Sequence, residues 1–129
     1  MVVDIVVGLQ HGDEGKGKVV NQYLKDGDYD YCIKFNGGPN AGHSVELEDG
    51  TKVVTHQVPI GVIYGVKSII GCGCVVSILE LEREIKYLTD LGFDVEKYLQ
   101  IDENAHAILG KHIDQDRESS EGRLGTTGS

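Results

Sequence analysis

The sequence has few positive charges. It carries 12 lysines and arginines against 21 aspartates and glutamates, which gives a formal net charge of −9. It has no tryptophan, and no cluster of basic residues is interleaved with aromatic residues that could stack on bases. These absences argue against non-specific binding to nucleic acid or to an anionic membrane surface. We therefore expect the partners to be small molecules, with no nucleic acid and no membrane among them.

Long apolar runs are absent as well. No run approaches the roughly 18 residues that a membrane span requires, and Met1 leads directly into a strand-like segment rather than a signal peptide. The expected location is therefore cytoplasmic. Cysteine is scarce and odd in number, since only Cys32, Cys72 and Cys74 are present. Their spacing is not that of a zinc site, which favours reduced, mostly buried thiols.

The residues that are present are typical of a globular protein. A length of 129 residues and a hydrophobic content of 40% are sufficient for one modest domain with a core. Residues 47–53 are typical of a hairpin in which Asp49-Gly50 forms a two-residue turn. Strand-like runs alternate with helical patterns and glycine loops, which indicates an α/β fold with a largely parallel sheet flanked by helices. The expected strands are residues 4–7, 31–36, 68–70, 99–102 and 107–109.

Two helices have clear sequence signals. Residues 16–24 form the expected first helix, which begins at a glycine-rich loop. Residues 78–91 form the second, because apolar side chains recur there at helical spacing. Ser77 and Glu80 are expected to form a capping box at its start, and Gly92 is expected to end it.

The segment GLQHGDEGKGK, residues 8–18, follows the first expected strand. Four glycines within ten residues allow a sharp turn that brings backbone N–H groups close to an anion, and Lys16 adds a positive charge. Asp13 is unusual there, because a carboxylate beside phosphates is repulsive unless a divalent cation intervenes or the carboxylate itself reacts. Val19 stands where a P-loop has a hydroxyl for magnesium. The pattern indicates either a nucleotide phosphate site or a tight strand-to-helix turn.

A second glycine-rich motif, FNGGPNAGHS at residues 35–44, follows the second expected strand. Neighbouring parallel strands end at the same edge of a sheet, so the two motifs are expected to form a cleft. Asn40 offers amide hydrogen bonds, the Gly42 carbonyl can approach a ligand or metal, and His43 can transfer a proton. Taken alone, His43 is more simply interpreted as an ordinary loop histidine.

The last residues of the sequence are rich in glycine and hydroxyl groups. The run GTTGS at residues 125–129 suits a phosphate contact and equally an unstructured polar tail, which its composition alone favours. The polar stretch at residues 114–123 has the composition of a lid over a site or of a solvent-facing loop.

Together, the three motifs resemble adenylosuccinate synthetase. GDEGKGK, GGPNAGH and GTTG stand in the order typical of that family, and Gln10, QVPIG at residues 57–61 and IGCG at residues 70–73 also match. The resemblance covers essentially the whole chain. It implies a P-loop-like α/β fold and a homodimer. It also implies a carbon–nitrogen ligase that uses GTP and Mg²⁺ to join L-aspartate to IMP, giving adenylosuccinate, GDP and phosphate on the way to AMP.

The resemblance also implies roles for individual residues. Asp13 would take the N1 proton of IMP and touch Mg²⁺, so that O6 can attack the γ-phosphate of GTP. His43 would stabilise the leaving GDP, and the Gly42 carbonyl would help to hold Mg²⁺. The implied GTP phosphate site comprises Gly12, Glu14, Gly15, Lys16, Gly17, Lys18, Gly42, His43 and Ser44. The implied IMP site comprises Asp13, Lys16, Asn40, Ala41 and Thr127.

The sequence departs from the family pattern at several positions. His11 stands in place of the usual tryptophan beside Asp13, and Ser44 stands in place of a threonine. Ser129 follows GTTG where most members have arginine, a feature similar to the shorter archaeal and phage-type branch. Part of that branch makes a 2-amino analogue from dGMP, with serine in place of the catalytic aspartate. The presence of Asp13 therefore favours IMP.

The family's guanine-recognising segment, aspartate-binding loop and partner-subunit arginine lie beyond the residues present here. Residues 1–129 are therefore expected to be the N-terminal part of a single GTP- and IMP-binding domain, with an incomplete sheet. Two alternatives stay open. One is a phage- or archaeal-type synthetase that acts on dGMP, and the other is a non-catalytic, truncated relative that binds nucleotide or phosphate.

Overall fold

The computed structural model describes residues 1–10 and 15–109 of the chain. Helices and short strands alternate along this part of the sequence. The helices are α1 (Lys16–Asp26), α2 (Ile78–Asp90), α3 (Val95–Tyr98) and a 3-10 helix (Ile60–Tyr64). The strands are β1 (Tyr31–Lys34), β2 (His43–Glu46), β3 (Lys52–Thr55), β4 (Lys67–Ile70), β5 (Val75–Ser77), β6 (Leu99–Ile101) and β7 (His106–Ile108).

Parallel strands form the centre of the fold. β1, β4 and β6 make a three-stranded parallel sheet with β4 in the middle. β5 and β7 form a second parallel pair, and a bridge between Gly37 and Cys74 links the loop after β1 to the segment before β5. Parallel neighbours need crossover connections, and helices lie in several of them. The expected α/β fold with a largely parallel sheet is confirmed.

Apolar side chains from helices and strands fill two clusters. In the larger one, Leu81 and Leu88 of α2 pack with residues of β3, β4 and β5. In the smaller one, Leu24 of α1 packs with Val45 of β2 and with Ile60 of the 3-10 helix. Burial of these side chains provides the main driving force for folding. It also fixes α1 against β2, which brings the start of the helix to the start of the strand.

The prediction of a strand at residues 4–7 is wrong. These residues form no strand, and Ile5 and Val7 are 70% and 59% exposed. A β-branched run favours extended backbone, but a strand also needs a neighbour that pairs with its N–H and C=O groups. Among the described residues no strand pairs with this segment.

The other expected strands and helices are present with shifted ends. β1 stops at Lys34 rather than at residue 36, and β6 stops at Ile101. α1 continues two residues further than expected, to Asp26, where Gly27 donates its N–H to the carbonyl of Tyr23. Local patterns therefore predict where these elements lie but do not set their ends.

The prediction of a capping box at the start of α2 is wrong. Ser77 occupies the N-cap position, yet its side chain makes no capping hydrogen bond. Ser77 also ends β5, where its backbone N–H donates to Gln57 Oε1, so this N–H is already satisfied without the Glu80 side chain that a capping box would require. At the other end, Gly92 has a φ of +97° and donates to the carbonyl of Thr89, so the expected stop is confirmed.

The expected hairpin is present, but its turn is longer than two residues. β2 and β3 pair antiparallel with Glu46 opposite Lys52. The Gly50 N–H donates to the carbonyl of Leu47, and Gly50 has a φ of +83°. A glycine in the left-handed region after such a turn produces a bulged hairpin loop, to which the Asp49 side chain contributes by accepting from the Thr51 N–H.

The three cysteines are free, as expected. Cys74 is buried and Cys32 is half-buried, but Cys72 is exposed because it lies in the turn between β4 and β5. The expectation that the thiols are mostly buried is therefore wrong for Cys72. In residues 1–10 and 15–109, no helix has the length and apolar character needed to cross a membrane.

Candidate functional site

The start of α1 lies directly against His43. Gly15 precedes the helix with a φ of +75°, a conformation that favours glycine, and its carbonyl accepts from the N–H groups of Lys18 and Val19. A Cβ placed on Gly17 would lie 3.1 Å from Nδ1 of His43. The missing side chain at this position therefore lets the first turn of α1 approach the imidazole closely.

His43 is the first residue of β2, not a loop residue. It pairs with Thr55 of β3, and the next residue, His56, follows at the end of that strand. A Cβ on Gly42 would lie 2.9 Å from Nε2 of His56. The two imidazoles thus border the end of the glycine-rich loop at residues 37–42, which we call the glycine loop. The interpretation of His43 as an ordinary loop histidine is corrected by its place in the hairpin.

Positive groups surround His43. Its pKa lies below the ordinary value of 6.5, first because the ring is partly removed from water and then because Lys34, Lys16 and His56 are near. Glu84 opposes this effect from α2. Three basic neighbours from different elements and one carboxylate give a local field that attracts anions, on a chain whose overall charge is negative.

Lys34 links two loops. At the end of β1, its Nζ donates to the carbonyl of His56 at 2.7 Å and to the carbonyl of Gly38 at 3.2 Å. Burial lowers the pKa of this lysine, and nearby Glu84 partly offsets the effect. The ammonium group therefore holds the glycine loop against the end of β3.

Glu84 holds the same region from the other side. Its carboxylate accepts the backbone N–H groups of His56 at 2.9 Å, Gln57 at 3.0 Å and Val58 at 3.0 Å. Beside it, a groove of about 450 Å³ lies between the hairpin and α2. The groove is lined by Pro39, Val54, His56, Glu80, Arg83, Glu84 and Tyr87.

The structure brings together only part of the predicted site. Lys16, Gly17, Gly42 and His43 lie in one cluster. The alternation of β2 places Ser44 on the opposite face from His43. Lys18, Asn40 and Ala41 are exposed. Gly12, Asp13, Glu14 and Thr127, together with the run at residues 125–129 and the stretch at residues 114–123, lie outside the described residues.

The predicted cleft forms differently from the expectation. The second motif follows β1, as expected, but no strand precedes the first motif. The two motifs meet because α1 packs on the hairpin. Sequence reasoning missed Lys34, His56 and Glu84. A lysine within the apolar run YCIKF was one available signal, and a glutamate on the same helical stripe as Leu81 and Leu88 was another.

Comparison with known proteins identifies the family. The sequence matches the family model for adenylosuccinate synthetase over residues 5–129. The chain belongs to the adenylosuccinate synthetase family. It is 46% identical to the adenylosuccinate synthetase of Desulforapulum autotrophicum and 43% identical to that of Parabacteroides distasonis, over 96% and 99% of this chain. It spans only 29% and 31% of those proteins, and corresponds to an N-terminal portion of them.

Solved structures share the fold. The fully ligated adenylosuccinate synthetase of Plasmodium falciparum matches 90% of this chain with a TM-score of 0.72 and 32% identity, and 27% of its own chain is covered. The succinoaminodeoxyadenylate synthetase of cyanophage S-2L, bound to dGMP and dATP, matches 93% of this chain with a TM-score of 0.70 and 27% identity, over 33% of its length. The expected family and its P-loop-type fold are confirmed.

Proposed function

We propose that this chain provides the phosphate-binding and proton-transfer part of an adenylosuccinate synthetase. The reaction would join L-aspartate to IMP at the expense of GTP, giving adenylosuccinate, GDP and phosphate. The observation that carries the proposal is the contact between Gly17 and His43. It unites the helix start of one motif with the imidazole of the other, and Lys16 and Lys34 lie close by.

In this proposal, Asp13 removes the N1 proton of IMP so that O6 attacks the γ-phosphate of GTP, and aspartate then displaces the phosphoryl group. His43 donates an N–H to the phosphate oxygens of the departing GDP. The lowered pKa of His43 favours the neutral imidazole, which has one N–H donor for this contact. Bound phosphates would raise the pKa of His43, so that the imidazole takes up a proton from solvent and places a positive charge where negative charge develops.

The phosphate sites follow the two motifs. The start of α1 is the positive end of the helix dipole, so Gly12, Glu14, Gly15, Lys16, Gly17 and Lys18 would bind the GTP phosphates, with Ser44 as a further contact. Asn40 and Ala41 are exposed in the glycine loop, where they are open to a ligand. They would hold the IMP phosphate together with Thr127.

The residues present fit a nucleotide-bound Mg²⁺. No group of three His, Cys, Asp or Glu side chains within residues 1–10 and 15–109 could hold a metal ion by itself. Mg²⁺ commonly relies on one or two carboxylates and on substrate phosphates. Asp13 and the Gly42 carbonyl would supply oxygen ligands of this kind. When bound, the ion neutralises phosphate charge during phosphoryl transfer.

Several further properties follow from this proposal. Residues 1–129 would be the N-terminal part of one GTP- and IMP-binding domain. The complete enzyme would be a cytoplasmic homodimer.

One observation favours a second candidate, a synthetase that acts on dGMP, because the cyanophage enzyme that resembles this chain was solved with dGMP. The presence of Asp13 favours IMP over dGMP in this sequence.

The test uses the protein expressed from the complete reading frame that contains these residues. We expect product from IMP, L-aspartate and GTP, and a loss of about 10² to 10⁴ in turnover for Asp13→Ala. Asp28→Ala, at an exposed position, is the matched control. Product from dGMP but not from IMP would replace the proposal with the second candidate. Binding of GTP without any product would indicate a non-catalytic relative.

A further inference from the structure

The backbone of one residue, His56, is held by opposite charges, a carboxylate at its N–H and an ammonium group at its carbonyl. The Glu84 carboxylate accepts its N–H at 2.9 Å, and the Lys34 ammonium donates to its carbonyl at 2.7 Å. Hydrogen bonds in which one partner is ionised are shorter and stronger than neutral ones. The backbone of His56 is therefore fixed by two such bonds that come from α2 and from β1.

The loop that follows is fixed by the same carboxylate. Glu84 also accepts the N–H groups of Gln57 and Val58 at 3.0 Å each. The Gln57 side chain, which is 2% exposed, exchanges two hydrogen bonds with the backbone of Ser77. Three consecutive N–H groups that converge on one acceptor resemble an anion-binding turn whose anion is the protein's own side chain.

The fixed His56 borders the glycine loop. Its ring occupies the space that a side chain on Gly42 would need, since a Cβ there would lie 2.9 Å from Nε2. Lys34 acts on the glycine loop directly as well, through the carbonyl of Gly38 at 3.2 Å. The glycine loop is thus held at Gly38 by the cation and bounded at Gly42 by the ring.

We propose that Lys34 and Glu84 are positioning residues, which clamp the main chain at His56 and thereby hold the glycine loop in the shape that receives phosphate. This inference rests on the proposed function, in which Asn40 and Ala41 of the glycine loop hold the IMP phosphate and Gly42 and His43 serve GTP. Neither Lys34 nor Glu84 needs to contact a substrate. A preformed loop lowers the conformational entropy lost when a ligand binds, so the clamp acts mainly on affinity.

The test uses Glu84→Gln and Lys34→Met in the protein from the complete reading frame. Glu82→Gln, at an exposed position on α2, and Lys25→Met, at an exposed position on α1, are the matched controls. We expect the KM values for IMP and GTP to rise about tenfold in each clamp variant. We expect kcat to change less than about threefold. Lys34→Arg, which keeps a cationic donor, is expected to restore most of the affinity.

Backbone hydrogen exchange separates the clamp from a merely stabilising role. We expect exchange at residues 56–58 to rise about tenfold in Glu84→Gln, and exchange at Asn40, Gly42 and His43 to rise with it. Unchanged exchange in the glycine loop, or unchanged KM values despite a lower melting temperature, would overturn the proposal. If Glu84→Gln does not fold, Lys34→Met and Lys34→Arg give the same comparison.

The two proposals fail in different ways. Hydrogen exchange and the calorimetric affinity for inorganic phosphate and for GTP do not require turnover. A wild-type protein that makes no adenylosuccinate would contradict the proposed function. The clamp would still be tested by hydrogen exchange and by the calorimetric affinities. The double variant Lys34→Met/Glu84→Gln adds a further criterion, since two residues that act on the backbone of the same residue should give less than the product of their separate effects on affinity. Fully multiplicative effects would count against a shared clamp.

Discussion

A Cβ on Gly17 would lie 3.1 Å from Nδ1 of His43, and 3.2 Å from the Cβ and Cγ atoms of the same side chain. The helix start and the imidazole are therefore in direct contact through the one residue type that leaves room. A side chain at position 17 would require the imidazole to shift by a few tenths of an ångström, so the glycine suits the site rather than the helix, in which alanine is the better helix former.

Gly17→Ala is therefore expected to have opposite effects on the helix and on the site. Alanine should favour α1 by up to about 1 kcal/mol, while its methyl group displaces the His43 ring. We expect a loss of GTP affinity, measured by calorimetry, with little change in the melting temperature. In a His43→Ala background the same substitution should no longer reduce affinity, and an equal loss in both backgrounds would contradict a steric cause.

The stability of the protein should depend on His43 in weakly acidic solution. Burial and the charges of Lys34, Lys16 and His56 lower the pKa of His43 in the folded state, and Glu84 opposes them. As the pH falls through about 6.5, the unfolded imidazole takes up a proton before the folded one does, so the free energy of unfolding decreases. The loss ends below the folded-state pKa. Urea unfolding between pH 7.5 and 5 should show a smaller decrease for His43→Asn.

The three thiols should react at different rates with a thiol reagent. Cys72 is exposed, whereas Cys74 is buried and burial raises the pKa values of Cys32 and Cys74. Because the thiolate is the reactive form, Cys72 should be modified first in the native protein, the half-buried Cys32 more slowly, and the buried Cys74 only after unfolding. Cys72→Ser should remove the fast phase. A fast phase that survives this substitution would be incompatible with the burial of the other two.

Gln57 should contribute to stability through the backbone of Ser77. Gln57→Leu replaces the amide with an apolar side chain of similar size and removes its hydrogen bonds to the backbone N–H and carbonyl of Ser77. An unsatisfied buried N–H costs about 1 to 3 kcal/mol, so we expect a loss of about that size in the free energy of unfolding. Gln22→Leu on the exposed surface of α1 is the control, and an equal effect of the two substitutions would refute the interpretation.

Sequence patterns predicted the elements whose signals are local. The apolar spacing of Leu81, Ile85 and Leu88 located α2, and the pair Asp49-Gly50 located the hairpin turn. The run at residues 4–7 has an equally clear β-branched pattern, yet it forms no strand. Strand formation depends on a neighbour that lies far away in sequence, and a local pattern contains no information about it.

In the candidate site, too, the residues with a local sequence signal were predicted, and those that meet only through the tertiary structure were missed. Lys16, Gly42 and His43 were found because they belong to glycine-rich motifs with recognisable spacing. Lys34, His56 and Glu84 were missed because they come from β1, from the end of β3 and from α2, which meet only in the folded chain. They also act through backbone groups, whose partners are set by tertiary structure and not by side-chain type.

The three N–H groups at residues 56–58 all donate to the carboxylate of Glu84, His56 and Val58 to Oε1 and Gln57 to Oε2. They therefore cannot be released one at a time by small movements of separate side chains. A displacement of α2 by about the length of a hydrogen bond would break all of them together. The segment 56–58, which follows β3, should thus open and close as one cooperative unit. Hydrogen exchange at the Val58 N–H should therefore also measure how often the backbone that carries the His56 imidazole is released.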